Sequence, residues 1–581
     1  MRYKLYDGGN NDTSDVLREV LSNRGIEDCD KYSRLDESVL LPYSYLDNID
    51  KGVEMFTRHF NNRNKMAVLV DTDPDGYCSA AMIYKYIKQM SGDYPVDYIT
   101  HSEAKAHGLT EDILIPDDVK LLIIPDAGTN DSGECKLLHN RGIDILILDH
   151  HEKEEDNPYA VIINNQTSDR YTNKELCGAG IVYKFLQALD NENWNDFADD
   201  YLDLCALANI SDVMDMRSYE TRYLTDLGLL NIRNKCFKAL IAARDYNMKG
   251  NVSIHNIQWY ITPILNGMIR VGADDEKELL FRAFIEEDSF FEYKKRDVKG
   301  KREEVMAESV YDRAARLCKN AKTRQDKQKD KGVELIAERA AALPADNKII
   351  MLDISGLLVP ALTGVLAIKI SEMFKKPCIL LNKIFDKKMS KSVYRGSGRN
   401  FNYSPVDSFK DVINNTGVFS FGKGHANAFG VGLDTEKFNE AVNALNEALK
   451  NIEYDTSYKV DFILSADDVT AELVTEFRRF ENIICQGIEE PVIAVENITL
   501  TRDCFEIFGK NEDTISFNID GVKYIQFKCK EDNPVFNWFN DTWNDDDSVT
   551  FSVVGSPSVN NYKGIETPQI IIKDLELSLK E

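Results

Sequence analysis

Two short apolar runs, each stopped by a cluster of charged side chains, constrain this chain more than any other feature. Met66-Ala67-Val68-Leu69-Val70 runs straight into Asp71-Thr72-Asp73-Pro74-Asp75-Gly76, and Ile145-Leu146-Ile147-Leu148 runs into Asp149-His150-His151. Continuous aliphatic runs of this length suit parallel strands buried on both faces. Parallel neighbours need crossover connections, so helices must cover both sides of such a sheet. Open sheets of this kind place their sites beyond the carboxyl ends of the strands, where both clusters fall. Carboxylates together with imidazole suit Mn²⁺ or Mg²⁺ better than a thiolate zinc site. A pair of such ions is apparatus for phosphoester hydrolysis.

The surrounding sequence continues the pattern. Strands are expected at 66–70, 96–99, 121–125, 144–148 and 160–163, with helices at 77–90, 131–140 and 178–190. This alternation reads as α/β, a doubly wound parallel sheet. Residues 13–65 read as a helical lead-in, giving a first part at 1–235. Residues 236–345 look mainly helical and highly charged, a connector between two lobes. Residues 346–452 return to a smaller α/β pattern, with Ile349–Asp353, a helix near 361–374 and Cys378–Leu381. From 455 to 581 short alternating runs predict a small β-barrel or sandwich: Thr514–Ile519, Tyr524–Phe527 and Val549–Val553. Division of 581 residues into several domains fits the usual size range.

Composition narrows the function classes. No stretch approaches 18 uncharged apolar residues, so no membrane span is expected. The segment Met1–Gly9 lacks the apolar centre of a signal peptide. Eleven cysteines are scattered without a Cys-x-x-Cys pair, which fits reduced thiols in a cytoplasmic setting. The net charge of −27 argues against general polyanion binding, so any nucleic-acid contact must rest on a local basic surface.

Asp71, Asp73 and Asp75 alternate, so an extended backbone would point all three the same way before Pro74 and Gly76 open a helix at Tyr77. Three carboxylates on one face repel unless cations sit among them. Asp126 follows Leu121-Leu122-Ile123-Ile124-Pro125 as a third strand-end carboxylate, able to bridge two ions. His150 and His151 are adjacent and should point apart, one toward metal and the other toward a substrate phosphate. Asp212 ends the helical run Leu202–Leu207, and nothing physical singles it out from Asp215.

This set, in this order, resembles the DHH phosphoesterase superfamily and, within it, the RecJ single-strand-specific exonucleases. The likeness runs nearly end to end. Leu21–Ile26 and Leu40–Pro42 resemble the family's N-terminal segment, Cys177–Val182 its glycine-rich helix start, and Pro263–Arg270 its Pro-Arg-Leu-Asn-Ala-Ala-Gly-Arg stretch. Gly396-Ser397-Gly398-Arg399 and Gly422–Gly430 resemble the DHHA1 substrate-binding motifs, and Gln486–Pro491 the entry to an OB-fold. There are departures: Lys423 stands where glycine is usual, the OB entry is degenerate, and Ser102, with His101 beside it, replaces an arginine near the terminal phosphate.

The resemblance implies a DHH domain, a helical connector, a DHHA1 domain and a C-terminal OB-like barrel. It implies two divalent ions, Mn²⁺ or Mg²⁺, held by Asp71, Asp73, Asp75, Asp126, His150 and Asp212. Asp149 would orient an imidazole, and His151 would hydrogen-bond a phosphoryl oxygen or the leaving group. Arg270, Ser397 and Arg399 are candidates for a terminal 5′-phosphate pocket, with Gly424 and His425 also near phosphate. Lys383, Lys387, Lys388, Lys391, Arg395 and Arg399, opposed only by Asp386, form a basic window suited to backbone phosphates. The basic run Lys319–Lys331 reads instead as an exposed helix face.

The implied activity is 5′→3′ hydrolysis of single-stranded DNA to 5′-mononucleotides by a cytoplasmic monomer, in repair, recombination or replication. Alternatives are a phosphodiesterase for short oligonucleotides or RNA, and a non-catalytic scaffold; the complete metal set weighs against the last. The C-terminal barrel would either guide single strands by stacking or contact a partner such as a single-strand-binding protein or helicase. Its Asp545-Asp546-Asp547 run is unfavourable for DNA, and Trp538, Phe539 and Trp543 are core or interface groups.

Overall fold

A computed structural model describes residues 1–101, 107–110, 113–296, 303–357, 360–386, 390–402, 404–455, 457–509, 512–529, 548–562 and 564–578. Ser102, Lys387, Lys388, Trp538, Phe539, Trp543 and Asp545–Asp547 lie outside them. The chain divides into two compact units: Met1–Thr100, His107–Thr262 and Ser457–Glu581 in one, His101–Ala106 and Pro263–Thr456 in the other.

The first unit holds the expected parallel sheet. Its five strands lie in the order Val96–Thr100, Met66–Val70, Leu121–Pro125, Asp144–Asp149, Val161–Asn164, all parallel. Every residue of Met66–Val70 and Leu121–Pro125 is buried, as strands covered on both faces require. On one face Leu69, Leu122 and Ile147 pack with Cys135 and Leu138 of the helix Ser132–Asn140. On the other, Gly52 of the helix Ile49–Asn61 comes so near that a Cβ there would lie 2.7 Å from Ile163 Cδ1. The strand after Met66–Val70 adds to its outer side and the next to its inner side. The crossovers therefore diverge at Met66–Val70 and Leu121–Pro125, which opens a crevice at their carboxyl ends.

The same unit contains a mixed seven-stranded sheet in the order Phe462–Ser465, Ile493–Thr501, Ser548–Tyr562, Ile565–Leu577, Val522–Gln526, Thr514–Ile519, Phe505–Phe508. All seven strands feed one core, through Phe462, Val495, Phe551, Ile570, Tyr524, Phe517 and Phe505. The N-terminal segment packs against this sheet's core and forms a separate two-stranded sheet, a connection with no signal in the sequence. Tyr3–Leu5 pairs in parallel with Tyr458–Val460, Val16 and Val20 join the core, and Arg24 Nη1 meets Asp461 Oδ1 at 2.7 Å.

The second unit has a five-stranded sheet in the order Phe421–His425, Ala428–Asp434, Lys391–Arg399, Cys378–Asp386, Ile350–Asp353, of which only the last pair is parallel. Ahead of it the connector is mainly helical, as expected, and ends in the 32-residue helix Val310–Ala341. A hairpin, Phe290–Arg296 with Glu303–Ser309, interrupts it. Its alternation is short and set among charges, so it read as charged helix. Among the described residues no helix is long and apolar enough to cross a membrane.

Candidate functional site

Three strand ends and one helix end meet in the crevice of the parallel sheet. The Met66–Val70 strand stops before Asp71, and the next helix opens at Pro74, not at Tyr77. Proline is pre-organised for the first helical position and Asp73 caps it, accepting from Gly76 N–H at 2.9 Å. The three aspartates therefore do not share one face by strand alternation. They fan around a strand-to-helix turn and serve two groups: Asp71 and Asp73 cluster with Asp126, whereas Asp75 clusters with His150 and Asp212, ligand atoms within each group lying within 4.8 Å of one another. His150 and His151 do not point apart either. The strand ends at Asp149, so alternation no longer applies, and the two rings lie 4.5 Å apart.

Asp126 is the centre of this arrangement. It is 1% exposed and has a φ of 64°, an unusual backbone for a non-glycine residue and one that clusters at functional sites. Neither of its carboxylate oxygens has a hydrogen-bond partner, nor has Asp212 Oδ2. His150 Nε2 lies 3.3 Å from Asp126 Oδ1, 3.4 Å from Asp212 Oδ2 and 4.0 Å from Asp75 Oδ2. Asp75 is otherwise held from the start of the helix Gly178–Asn193, where Gly178 and Ala179 N–H donate to it at 2.7 and 2.8 Å.

Burial, then the neighbouring carboxylates, pushes Asp126 and Asp212 well above the usual range. Asp75 rises to about 6 through burial and Asp73, and Asp73 rises through burial and Asp71. Asp149 goes the other way. Burial opposes its charge, but His151 Nδ1 at 2.8 Å, His150 and Thr129 outweigh it and hold the carboxyl well below the ordinary value. His151 is raised, the Asp149 partnership overcoming burial. The structure thus puts Asp71, Asp73, Asp75, Asp126, His150 and Asp212 together, with Asp149 behind His151. The unpartnered oxygens and hard donor set fit divalent cations.

Sequence reasoning missed His107. Its Nδ1 lies 2.8 Å from Asp71 Oδ2 and its ring 4.7 Å from that of His151; Asp71 chiefly lifts its imidazole to about 10. No local pattern marks it, because it enters from the loop after Val96–Thr100. Gly178 was read only as a helix start. A Cβ there would lie 2.6 Å from Asp126 Oδ1. Gly178→Ala should displace Asp126 and lower turnover about 10²-fold while far-UV circular dichroism stays unchanged.

In the second unit, Ser397 is buried and the Arg399 guanidinium lies against the first turn of Thr363–Phe374. A Cβ on Gly364 would lie 2.7 Å from Arg399 Nη2 and 3.5 Å from Ser397 Oγ. Arg399 Nη1 donates to Gly398 O at 2.7 Å, but its buried Nε has no partner. Burial and then the charge of Arg270 bring its pKa down to about 10. Arg270, Arg399 and a helix N-terminus thus converge, a combination that favours negative charge. Gly424, φ 120°, and His425 lie instead on an exposed strand end. In the basic window, Arg395 pairs with Asp386 at 3.2 Å and Lys391 with Asp434 at 2.8 Å, so local carboxylates absorb part of that charge.

The family model described as "DHH family, N-terminal domain" matches residues 65–209, and the "RecJ OB domain" model matches residues 460–574. A Bacillus subtilis (strain 168) protein named as an SPbeta prophage-derived single-strand DNA-specific exonuclease, YorK, is 36% identical over 580 residues, 99% of this chain and 98% of that one. The single-stranded-DNA-specific exonuclease RecJ of Bacillus subtilis is 25% identical over 544 residues, 91% of this chain and 63% of that one. The crystal structure of Thermus thermophilus RecJ in complex with Mn²⁺ has the same fold, with a TM-score of 0.73 at 16% identity, over 97% of this chain and 76% of that one. Fold and site together define a DHH domain joined to a RecJ-type OB domain. The chain belongs to the RecJ family.

Proposed function

We propose that the chain is a divalent-metal-dependent exonuclease that hydrolyses single-stranded DNA from the 5′ end to 5′-mononucleotides, in DNA repair, recombination or replication. The observation that carries this reading is Asp126: a buried carboxylate with neither oxygen hydrogen-bonded, grouped with Asp71 and Asp73 and lying 3.3 Å from His150 of the second group. The names of the relatives supply the substrate class. Asp71, Asp73 and Asp126 would hold one ion and Asp75, His150 and Asp212 the other. When bound, such ions polarise the scissile phosphate and ease deprotonation of the attacking water.

The chain's own groups do the rest. Asp149 fixes the His151 ring through Nδ1, which directs Nε2 to a phosphoryl oxygen or the leaving group. His107, on the far side of His151, adds a second imidazole at the same edge of the site. Residues 346–452 would carry substrate binding. The pocket of Arg270, Ser397 and Arg399 suits a terminal phosphate, which favours attack at a phosphorylated end.

Digestion of long single-stranded DNA labelled at either end tests polarity. Early release of 5′-labelled mononucleotide supports the proposal. Early 3′ release refutes the polarity, and cleavage confined to di- to pentanucleotides refutes the long-strand reading. Arg399→Ala should raise KM for 5′-phosphorylated strands about 10- to 100-fold and change KM for 5′-hydroxyl strands much less, as loss of a charged hydrogen bond implies.

A further inference from the structure

One aromatic side chain, three residues before a contact with the metal-ligating segment, is exposed at a cost that the fold does not explain. Trp259 is 61% exposed, although tryptophan is highly buried on average. It sits in a five-residue π-helix, Ile257–Ile261, a rare form that tends to mark functional positions. The segment is firmly seated. Ile257 and Ile261 are fully buried on one side, and Arg244 Nε donates to Tyr260 O at 3.3 Å. The ring of His255 lies beside the indole, with centroids 6.1 Å apart and planes tilted by 47°.

The position of this π-helix gives the exposed ring a use. Thr262, which follows it directly, joins Ser211 through their hydroxyls at 3.1 Å. Ser211 is the residue before Asp212, whose Oδ2 lies 3.4 Å from His150 Nε2. Val213, next after Asp212, is itself 46% exposed with a φ of 61°. Trp259 is therefore one short helical step from a residue that touches the metal-ligating segment, and it is 61% exposed. A flat, uncharged, rigidly mounted ring at the edge of a site for single strands matches the π-face that every unpaired base offers. A duplex keeps those faces stacked internally, so such a ring selects unpaired strands.

We propose that Trp259 is a base-stacking platform that holds one nucleobase of the single strand next to the hydrolytic centre. The inference rests on the single-strand reading above and adds a positioning residue to it. Because every base has a π-face, the platform serves all four bases and reads no sequence.

Tryptophan fluorescence of the Asp126→Asn protein in Mg²⁺, titrated with a thymidine 15-mer, tests this without turnover. Stacking predicts quenching that persists in Trp194→Phe and disappears in Trp259→Phe, and that is lost with a 15-mer of abasic sites. In the otherwise unaltered enzyme, Trp259→Ala should raise KM for long single strands about tenfold with kcat little changed, and Trp259→Phe should restore most of it. Equal quenching in the Trp259→Phe and parent proteins, or a KM for Trp259→Ala within twofold of the parent, would overturn the proposal. Failure of the unaltered protein to cut single strands would instead refute the exonuclease reading, and the fluorescence titration would still report on stacking.

Discussion

Asp126→Asn should lower single-strand hydrolysis at least about 10³-fold, the loss of roughly 4 kcal/mol of transition-state stabilisation, and should make the metal-free protein more stable. Both effects have one cause. Asp75, Asp126 and Asp212 are forced together at the ends of their elements; burial raises the pKa of all three, and without cations Asp75 raises Asp126 and Asp212 further while Asp73 raises all three. Their folded values lie above the unfolded value of about 4, so folding favours their protonated forms. The stability they contribute is therefore present below about pH 4. It is lost as pH rises through about 6 for Asp75 and through the raised values of Asp126 and Asp212. Asparagine at 126 removes one charge from the group. Calorimetry in EDTA should show its advantage over the unaltered protein widening from pH 4 to pH 7. Mn²⁺ at pH 7 should reverse the order, stabilising the unaltered protein more than the variant. Equal melting temperatures across that range would mean that the carboxylates do not strain the fold.

The second large effect is structural. Lys184 and Glu220 are 1% and 3% exposed, and Lys184 Nζ meets Glu220 Oε1 at 2.8 Å. Glu220 also accepts from Leu41 N–H at 2.8 Å and from Tyr171 OH and Asn173 Nδ2 at 2.9 Å each. Lys184 reaches Leu41 O at 2.8 Å. One ion pair thus ties the lead-in, the loop before Gly178–Asn193, that helix and the helix Tyr219–Leu230. Removing one partner leaves a buried charge with no counterion, which costs about 3–5 kcal/mol. Lys184→Met should destabilise by that amount in urea, and Lys184→Met with Glu220→Gln should recover a substantial part. A loss below about 1 kcal/mol in the single variant would show that water reaches the pair.

The parallel sheet was legible because its strands are aliphatic runs buried on both faces, and the acidic and imidazole clusters were legible because they end those runs. How the clusters converge was not. Asp71, Asp73 and Asp75 divide between two groups because the helix starts at Pro74, and the paired histidine rings converge because their strand stops at Asp149. His107 and Gly178 reach the site through tertiary contacts, and nothing in their neighbours' sequence points there. Tyr3–Leu5 is too short to signal a strand and depends on a partner at Tyr458–Val460, far along the chain. Arg395 and Lys391 looked like free cations until the strand register put carboxylates beside them. Side-chain periodicity reports burial, while charge pairing is set by register.

On the proposed function, the Asp126 cluster is a divalent-metal centre that hydrolyses single-stranded DNA. The most direct test titrates Mn²⁺ into the unaltered protein and Asp126→Asn by calorimetry, with hydrolysis of long single-stranded DNA followed in the same samples. The account predicts two tight Mn²⁺ ions and hydrolysis in the unaltered protein, and weaker binding with no hydrolysis in the variant. Hydrolysis that survives Asp126→Asn, or persists in EDTA, would contradict it.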